Sequence, residues 1–270
     1  MAGFIDFPSG VFKPDPAGDL KSKGPAGAYD RVYRRWLPVD WRWVSDDGSS
    51  YVYATYSSDV PNTGETSVIH LVNVSTGVDR VVLKTGQYAI TDYVGTGVYL
   101  TAWVGGHGGP GPEVGWVLNP TTGAVRALTG GEKYGQRIGA GAGWRDDIYD
   151  VDPNVPGMPA PNRITRIDLR TGAEATWFYE RNANSVSLMA FDMQGHPLVA
   201  STLGDSFSVW RLTDAAHRTE LFSGKGFPLG AIADSHGVWI SDGTSTYLYM
   251  AGLGVQKVSR STGRFAGGCH

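Results

Sequence analysis

Four aspartates crowd into seven residues at Asp146-Asp147-Ile148-Tyr149-Asp150-Val151-Asp152, on an irregular stretch that runs to Pro161. Closely spaced carboxylates on a loop are donors suited to a hard cation, and calcium takes roughly six to eight oxygens. The spacing departs from the D-x-[DN]-x-[DN]-G pattern of the EF-hand loop. The stretch therefore reads as a solvated acidic loop, with Asp146, Asp147, Asp150 and Asp152 as the candidate ligands should it hold a calcium ion; no other cofactor is expected. Six histidines (His70, His107, His196, His217, His236 and His270) show neither H-E-x-x-H nor H-x3-H spacing. His196 and His236 each adjoin a turn glycine, Gly195 and Gly237. Together with His107 they are the candidate binding or acid–base histidines.

Other chemistries find no support. The run Gly105-Gly106-His107-Gly108-Gly109-Pro110-Gly111-Pro112 contains a formal G-x-G-x-x-G at Gly106, Gly108 and Gly111. Dinucleotide binding needs a helix to follow, so that its N-terminus meets the pyrophosphate. Here Val114-Gly115-Trp116-Val117-Leu118 follows, and it reads as a strand. No G-x-S-x-G nucleophile elbow occurs. The single Cys269 cannot form an internal disulfide and reads as an incidental thiol. Ser45-Asp46-Asp47-Gly48 approaches the S-x-D-x-G turn of sialidases but places its glycine one position early. Nine tryptophans supply aromatic surface. Trp116, Trp210 and Trp239 sit inside apolar strands and read as core. Trp41 and Trp43, two apart and close to Trp36, are expected on one face of a strand, where they are the candidates for an exposed binding patch.

The elements that would carry these residues follow from composition. The chain has 270 residues, 38 Gly, 15 Pro, 18% charged residues and a formal charge of −3. Average usage is about 7% Gly and about 25% charged residues, so a coiled coil, a helical bundle and a charged disordered tail are excluded. With 23 Lys plus Arg against 26 Asp plus Glu and no basic stripe, no nucleic-acid partner is expected. No run of about 18 apolar residues is present to span a bilayer, and Met1-Ala2-Gly3-Phe4-Ile5 lacks the basic, then apolar, profile of a signal peptide.

A turn ending in glycine and followed by an apolar strand recurs at Gly3, Gly48, Gly97, Gly143, Gly195 and Gly237, at spacings of 45, 49, 46, 52 and 42 residues. A second feature, a strand then a polar turn closed by glycine, recurs at Ile69–Gly77, Trp116–Gly123 and Ile164–Gly172, with diverged copies near Val209 and Tyr247. Asn or Asp near the turn with Gly at its end is hairpin chemistry. Side chains alternate with period two and β-branched and aromatic residues dominate, as strands require. Two interleaved features at a shared period near 45 residues predict an all-β, six-bladed β-propeller, since four short strands per 40–50 residues make one blade. The expected blades are 1–39 plus 262–268, 40–86, 87–131, 132–182, 183–226 and 227–261. The tail Thr262-Gly263-Arg264-Phe265-Ala266 is expected to join the N-terminal strands inside the first blade. Five blades with residues 1–39 as a cap is the other arrangement.

The segment Trp43-Val44-Ser45-Asp46-Asp47-Gly48-Ser49-Ser50-Tyr51-Val52-Tyr53-Ala54 resembles the WSPDG-type repeat of TolB-like, WD40-like propellers. Ala190–Val199 and Ala233–Ile240 resemble the D-x-x-G-x-hydrophobic strand pair of NHL-type propellers. The lead-in Trp36-Leu37-Pro38-Val39 is similar to that of secreted or lipid-anchored bacterial propellers. The resemblance implies a propeller exported to the cell envelope, here as a mature or trimmed form, and it carries no catalytic residues. The expected function is a monomeric, non-enzymatic propeller that binds a protein, a small molecule or a glycan. The competing expectation is a hydrolase or lyase acting on glycans or small esters, with acid–base groups among Asp146, Asp147, Asp150, His107, His196 and His236 at a channel mouth.

Overall fold

The computed structural model describes residues 2–18, 27–57, 66–103, 113–129, 137–149, 160–261 and 264–266. His107, Asp150, Asp152, Cys269 and His270 lie outside them. Antiparallel sheets make up the described fold, and its helical content is two single 3-10 turns, at Pro16–Gly18 and Trp41–Trp43. Among the described residues no helix is long and apolar enough to cross a membrane.

The strands succeed one another as meanders. β1 (Gly3–Ile5) pairs with β2 (Phe12–Pro14), and β3 (Ala28–Asp30) with β4 (Arg35–Leu37). A three-stranded sheet follows, β5 (Ser50–Ser57), β6 (Thr66–Asn73) and β7 (Asp79–Lys84). Four-stranded sheets come next. The first is β8 (Tyr88–Val94), β9 (Gly97–Trp103), β10 (Glu113–Leu118) and β11 (Val125–Ala127). The second is β12 (Arg137–Gly139), β13 (Ala142–Asp147), β14 (Arg163–Asp168) and β15 (Glu174–Tyr179). The third is β16 (Ser185–Phe191), β17 (Pro197–Leu203), β18 (Ser206–Leu212) and β19 (Arg218–Lys225). The last is β20 (Gly230–Asp234), β21 (Gly237–Ser241), β22 (Thr246–Met250) and β23 (Gly254–Ser259). Each sheet keeps its strands in chain order, the simplest result of short hairpin turns between consecutive strands.

The chain forms two compact units, one of Met1–Asp19, Trp144–Arg166 and Glu174–His270, the other of Leu20–Gly143 and Ile167–Ala173. In the second unit, Val52, Ile69 and Leu83 from β5–β7 pack with Ile90, Val98, Leu100 and Leu118 from β8–β10. In the first, Leu198, Phe207, Val209 and Leu221 from β17–β19 pack with Ala231, Val238 and Ile240. Sheets in each unit thus bury their faces against the neighbouring sheet. An inner strand such as β17 is buried at six consecutive positions, Pro197 to Thr202, whereas the edge strand β23 is exposed along its first four. Burial on both faces explains why β17 opens on the apolar run Pro197-Leu198-Val199-Ala200 and does not alternate.

The turns show how the repeat is written. At Asn73, Asn119 and Asp168 a side-chain oxygen accepts the backbone N–H three residues on, from Thr76, Thr122 and Thr171. Each threonine hydroxyl then accepts the N–H two residues further, and each following glycine (Gly77, Gly123, Gly172) takes a positive φ near 70°. The motif [N/D]-x-x-Thr-Gly is one structural device used three times.

Of the tail expected in the first blade, Arg264, Phe265 and Ala266 lie outside any strand, and the rest of 262–268 lies outside the described residues; among those described, β1 pairs with β2 alone. Phe265 packs against Ile232, Trp239 and Leu248 of the last sheet. One expectation is corrected here: Trp41 and Trp43 do not share a strand face. Asp40 caps a 3-10 turn, its carboxylate accepting from Arg42 N at 3.0 Å and its carbonyl from Trp43 N at 2.9 Å. Three residues per turn send the two rings in different directions.

Candidate functional site

The Trp41 turn, β8 and β12 pack together around one buried carboxylate, Asp92. In β8 the register against β9 slips between Ile90 and Asp92, leaving Thr91 as an extra residue, and four consecutive positions, Ile90 to Tyr93, are buried. Such a bulge re-aims the side chains that follow it. Asp92 Oδ2 accepts the backbone N–H of Ile138 at 2.7 Å, and Oδ1 lies 3.9 Å from Arg137 Nε. Burial pushes the carboxyl up to about 6, against the pull of Arg137, the Ile138 N–H and Arg42, while the charge on Asp40 adds to the rise. The Arg137 guanidinium carbon is 6.0 Å from the centroid of the Trp41 ring. Trp41 is 37% exposed. Trp43 is half-buried against the Val52–Ile69 cluster and the Ala28–Leu37–Val39 cluster. Chemically, the cluster offers an indole surface, a guanidinium and a carboxyl that changes protonation near neutral pH.

A second polar constellation lies in the same unit. Cross-strand neighbours Tyr53 and His70 stack with ring centroids 4.4 Å apart and planes 10° from parallel. Asp79 joins both, accepting from the Tyr53 hydroxyl at 2.5 Å and lying 2.9 Å from His70 Nδ1. Burial, then the hydrogen bond and charge of Asp79, push the Tyr53 phenol up to about 12. It therefore stays protonated at neutral pH and serves as a donor. Beside it Pro38, Val39, Tyr51, Val72 and Gly77 line a cavity of about 140 Å³.

Of the other residues singled out in the sequence, the described ones each have a partner, and His107, Asp150 and Asp152 lie outside the described residues. His196 Nδ1 lies 2.9 Å from Asp192, in its own turn, and His236 Nδ1 lies 3.4 Å from Asp234. Asp234 is buried and also accepts from Trp239 Nε1 at 2.8 Å. Asp146 and Asp147, adjacent on β13, alternate between faces. Asp146 accepts the Leu188 N–H at 3.3 Å, while Asp147 accepts from Arg145, Thr165 and, at 3.1 Å, Arg163. Burial alone would raise the Asp147 carboxyl, but Arg145, Thr165 and Arg163 together hold it below the usual carboxylate range. Two guanidiniums at one carboxylate suit a structural anchor better than a cation ligand. Among the described residues no group of three or more His, Cys, Asp or Glu is placed to hold a metal. Asp147→Ala is accordingly expected to cost about 2–3 kcal/mol, because it takes the carboxylate from two largely buried guanidiniums, of which Arg145 alone keeps a second one, Glu174. Urea unfolding would measure that loss, and a change under about 0.5 kcal/mol would contradict the anchoring role.

Sequence reasoning reached Trp41 but missed Asp92 and the Tyr53–His70–Asp79 group. A carboxylate inside the apolar run Tyr88-Ala89-Ile90-Thr91-Asp92-Tyr93-Val94 was a signal for the first. For the second, the turn at Asn73–Gly77 sets β6 against β7 and brings His70 and Asp79 to the same sheet.

No protein-family model matches the chain, and no curated protein matches it significantly by sequence. Solved structures to which it is similar include TolB from Acinetobacter baumannii, at 16% identity and a TM-score of 0.44, covering 73% of this chain and 49% of that one. Oligogalacturonate lyase from Vibrio parahaemolyticus is similar at 13% identity and a TM-score of 0.43, over 76% of this chain and 64% of that one. A nidogen/laminin complex is similar at 8% identity and a TM-score of 0.41, over 78% and 77%. The chain spans roughly half of the TolB chain and under two thirds of the lyase chain.

Proposed function

We propose that the sheets are the blades of a six-bladed β-propeller, and that the protein is a monomeric, non-enzymatic binding module of the bacterial cell envelope. Support for the propeller comes from four successive four-stranded meanders, two of them (β16–β19 and β20–β23) packed on each other in one unit and another (β8–β11) packed on the three-stranded sheet in the other, which is the module such folds repeat. The envelope assignment rests on the sequence resemblance of the Trp43–Ala54 repeat. One observation carries the binding function: the half-exposed Trp41 indole has the Arg137 guanidinium against its ring and Asp92 behind it. An apolar face flanked by a cation and a carboxyl suits a glycan, whose rings stack on indole while its hydroxyls or carboxylates meet the polar groups.

The test is binding of wild type and Trp41→Ala to an array of bacterial oligosaccharides. Wild type is expected to retain a defined subset, and Trp41→Ala to lose at least tenfold in affinity for it. Equal retention by both removes Trp41 from the function. The alternative, a hydrolase or lyase acting on glycans or small esters, draws on the Asp92 carboxyl, whose value of about 6 suits proton transfer near neutrality. Product release from a retained oligosaccharide, lost in Asp92→Asn, would establish that alternative instead.

A further inference from the structure

The three [N/D]-x-x-Thr-Gly turns invite comparison of their surroundings, all within the unit that contains Leu20–Gly143 and Ile167–Ala173. Arg80 pairs with Leu71 across β6 and β7, one step beyond the Val72–Asp79 pair that precedes the Asn73 turn. Arg126 pairs with Val117 across β10 and β11, one step beyond the Leu118–Val125 pair that precedes the Asn119 turn. The two arginines thus hold the same place in successive sheets. Arg80 Nη2 donates to the carbonyl of Pro120, the residue following the Asx position of the next turn, at 2.7 Å. The corresponding residue facing Arg126 is Leu169, and there the seam is open. A cleft of about 510 Å³ is lined by Arg126, Thr129, Gly141, Asp168, Leu169 and Arg170. Among the described residues the Arg126 guanidinium makes no hydrogen bond or ion pair.

From this we infer that the cleft between Arg126 and the Asp168–Arg170 turn is a binding site for an oxyanion, a carboxylate or a phosphate carried on a small organic molecule. Arg126 and Arg170 supply two guanidiniums, whose forked donors match such groups in pairs, and Thr129 adds a hydroxyl. Asp168 does not close the site to anions. Its Oδ1 accepts the N–H groups of Arg170 at 2.9 Å and Thr171 at 2.8 Å, and these hydrogen bonds hold the carboxyl below its ordinary range. Its charge is directed into its own turn, leaving a net positive cleft. The volume lies within the range of about 300–1,000 Å³ usual for small-molecule sites, well above what a bare ion needs. Arg126 is exposed, so replacing it leaves the sheet core untouched.

Calorimetric titration of the full chain with inorganic phosphate and with citrate tests the inference and separates the two sources. At least one probe is expected to bind, with the tighter one naming the ligand class. Arg126→Ala and Arg170→Ala should each weaken it tenfold or more. Arg126→Lys should retain part of the affinity, since it keeps the charge and loses the fork. Arg260→Ala, an exposed arginine outside the lining, should bind as wild type does. Absence of binding by either probe at 10-fold above a millimolar dissociation constant, about 10 mM, overturns the inference. So does binding that both arginine-to-alanine variants leave unchanged while their unfolding midpoints match wild type.

Discussion

Asp92→Asn is expected to make the protein more stable at pH 7, by about 2 kcal/mol, and to remove a fall in stability as the pH rises from about 4 to 7. In the fold the Asp92 carboxyl ionises at about 6, against an ordinary value of 3.8. Between those two values the folded chain holds a proton that the unfolded chain has released, so raising the pH favours unfolding. A tenfold change in proton affinity corresponds to about 1.4 kcal/mol, and keeping Asp92 buried forfeits about 3 kcal/mol once the pH exceeds 6. The amide keeps an acceptor for the Ile138 N–H but turns its NH2 donor toward the Arg137 guanidinium, also a donor, which returns about 1 kcal/mol of the gain. Carboxyls held low, such as Asp47, Asp147 and Asp242, contribute in the opposite sense and lose their share as the pH falls. The difference between variant and wild type cancels them. Urea unfolding of both proteins at pH 4, 5, 6 and 7 gives that difference directly. A difference that does not grow between pH 4 and pH 7 would show that Asp92 is an ordinary carboxyl.

That expectation bears on function as well as stability. A group that costs the fold about 3 kcal/mol at neutral pH sits beside a half-exposed indole and a guanidinium, in the place where the Trp41 turn meets β8 and β12. Stability sacrificed next to accessible surface is what a binding or proton-transfer site exhibits. The histidines contrast with it. His70, His196, His217 and His236 each face a single aspartate within their own sheet or turn, which describes hairpin chemistry more than a shared reaction centre.

Local chemistry accounts for what the sequence revealed and for what it hid. The turns at Gly77, Gly123 and Gly172 were legible because every bond that shapes them lies within six residues. All-β meanders followed from those turns and the alternating strands between them. Where the signal was a lone glycine, the reading slipped. Gly97 and Gly143 stand inside strands, and the turns before them are made by Gly95 and by the Ala140–Gly141 pair, both of positive φ. The Trp41–Trp43 turn was hidden because a capping aspartate at Asp40 overrode a period-two pattern only three residues long. Asp92 and its partners were hidden for a different reason. Arg137 lies 45 positions along the chain, and nothing local to Asp92 states which residue will face it.

Gly10→Ala is expected to release the N-terminal hairpin from the last sheet. Gly10 closes the turn between β1 and β2, its N–H donating to Asp6 O at 2.7 Å, with φ at 71°. Its carbonyl accepts the Ser259 hydroxyl at 2.6 Å, and a Cβ at this position would fall 1.8 Å from the carbonyl oxygen of Val258. That oxygen is backbone of β23 and cannot swing aside. Positive φ alone costs a non-glycine residue about 1–2 kcal/mol, and overlap with a fixed carbonyl exceeds what the docking can return. The Phe7 ring, set edge-on to Trp239 with centroids 5.8 Å apart, would leave with the turn. Hydrogen exchange should therefore report protection lost by at least about tenfold, or 1.4 kcal/mol, in β1 and β2, with β8–β10 unaffected. Ser259→Ala, which removes one hydrogen bond, should lose about 1 kcal/mol of the same local stability. Undocking also uncovers β23, whose first four residues already face solvent, and an uncovered edge strand recruits other chains. Concentration-dependent association of Gly10→Ala, read by light scattering, is the second expected result. Unchanged exchange in β1 and β2 would mean that the hairpin is held by something other than the Gly10–Ser259 contact.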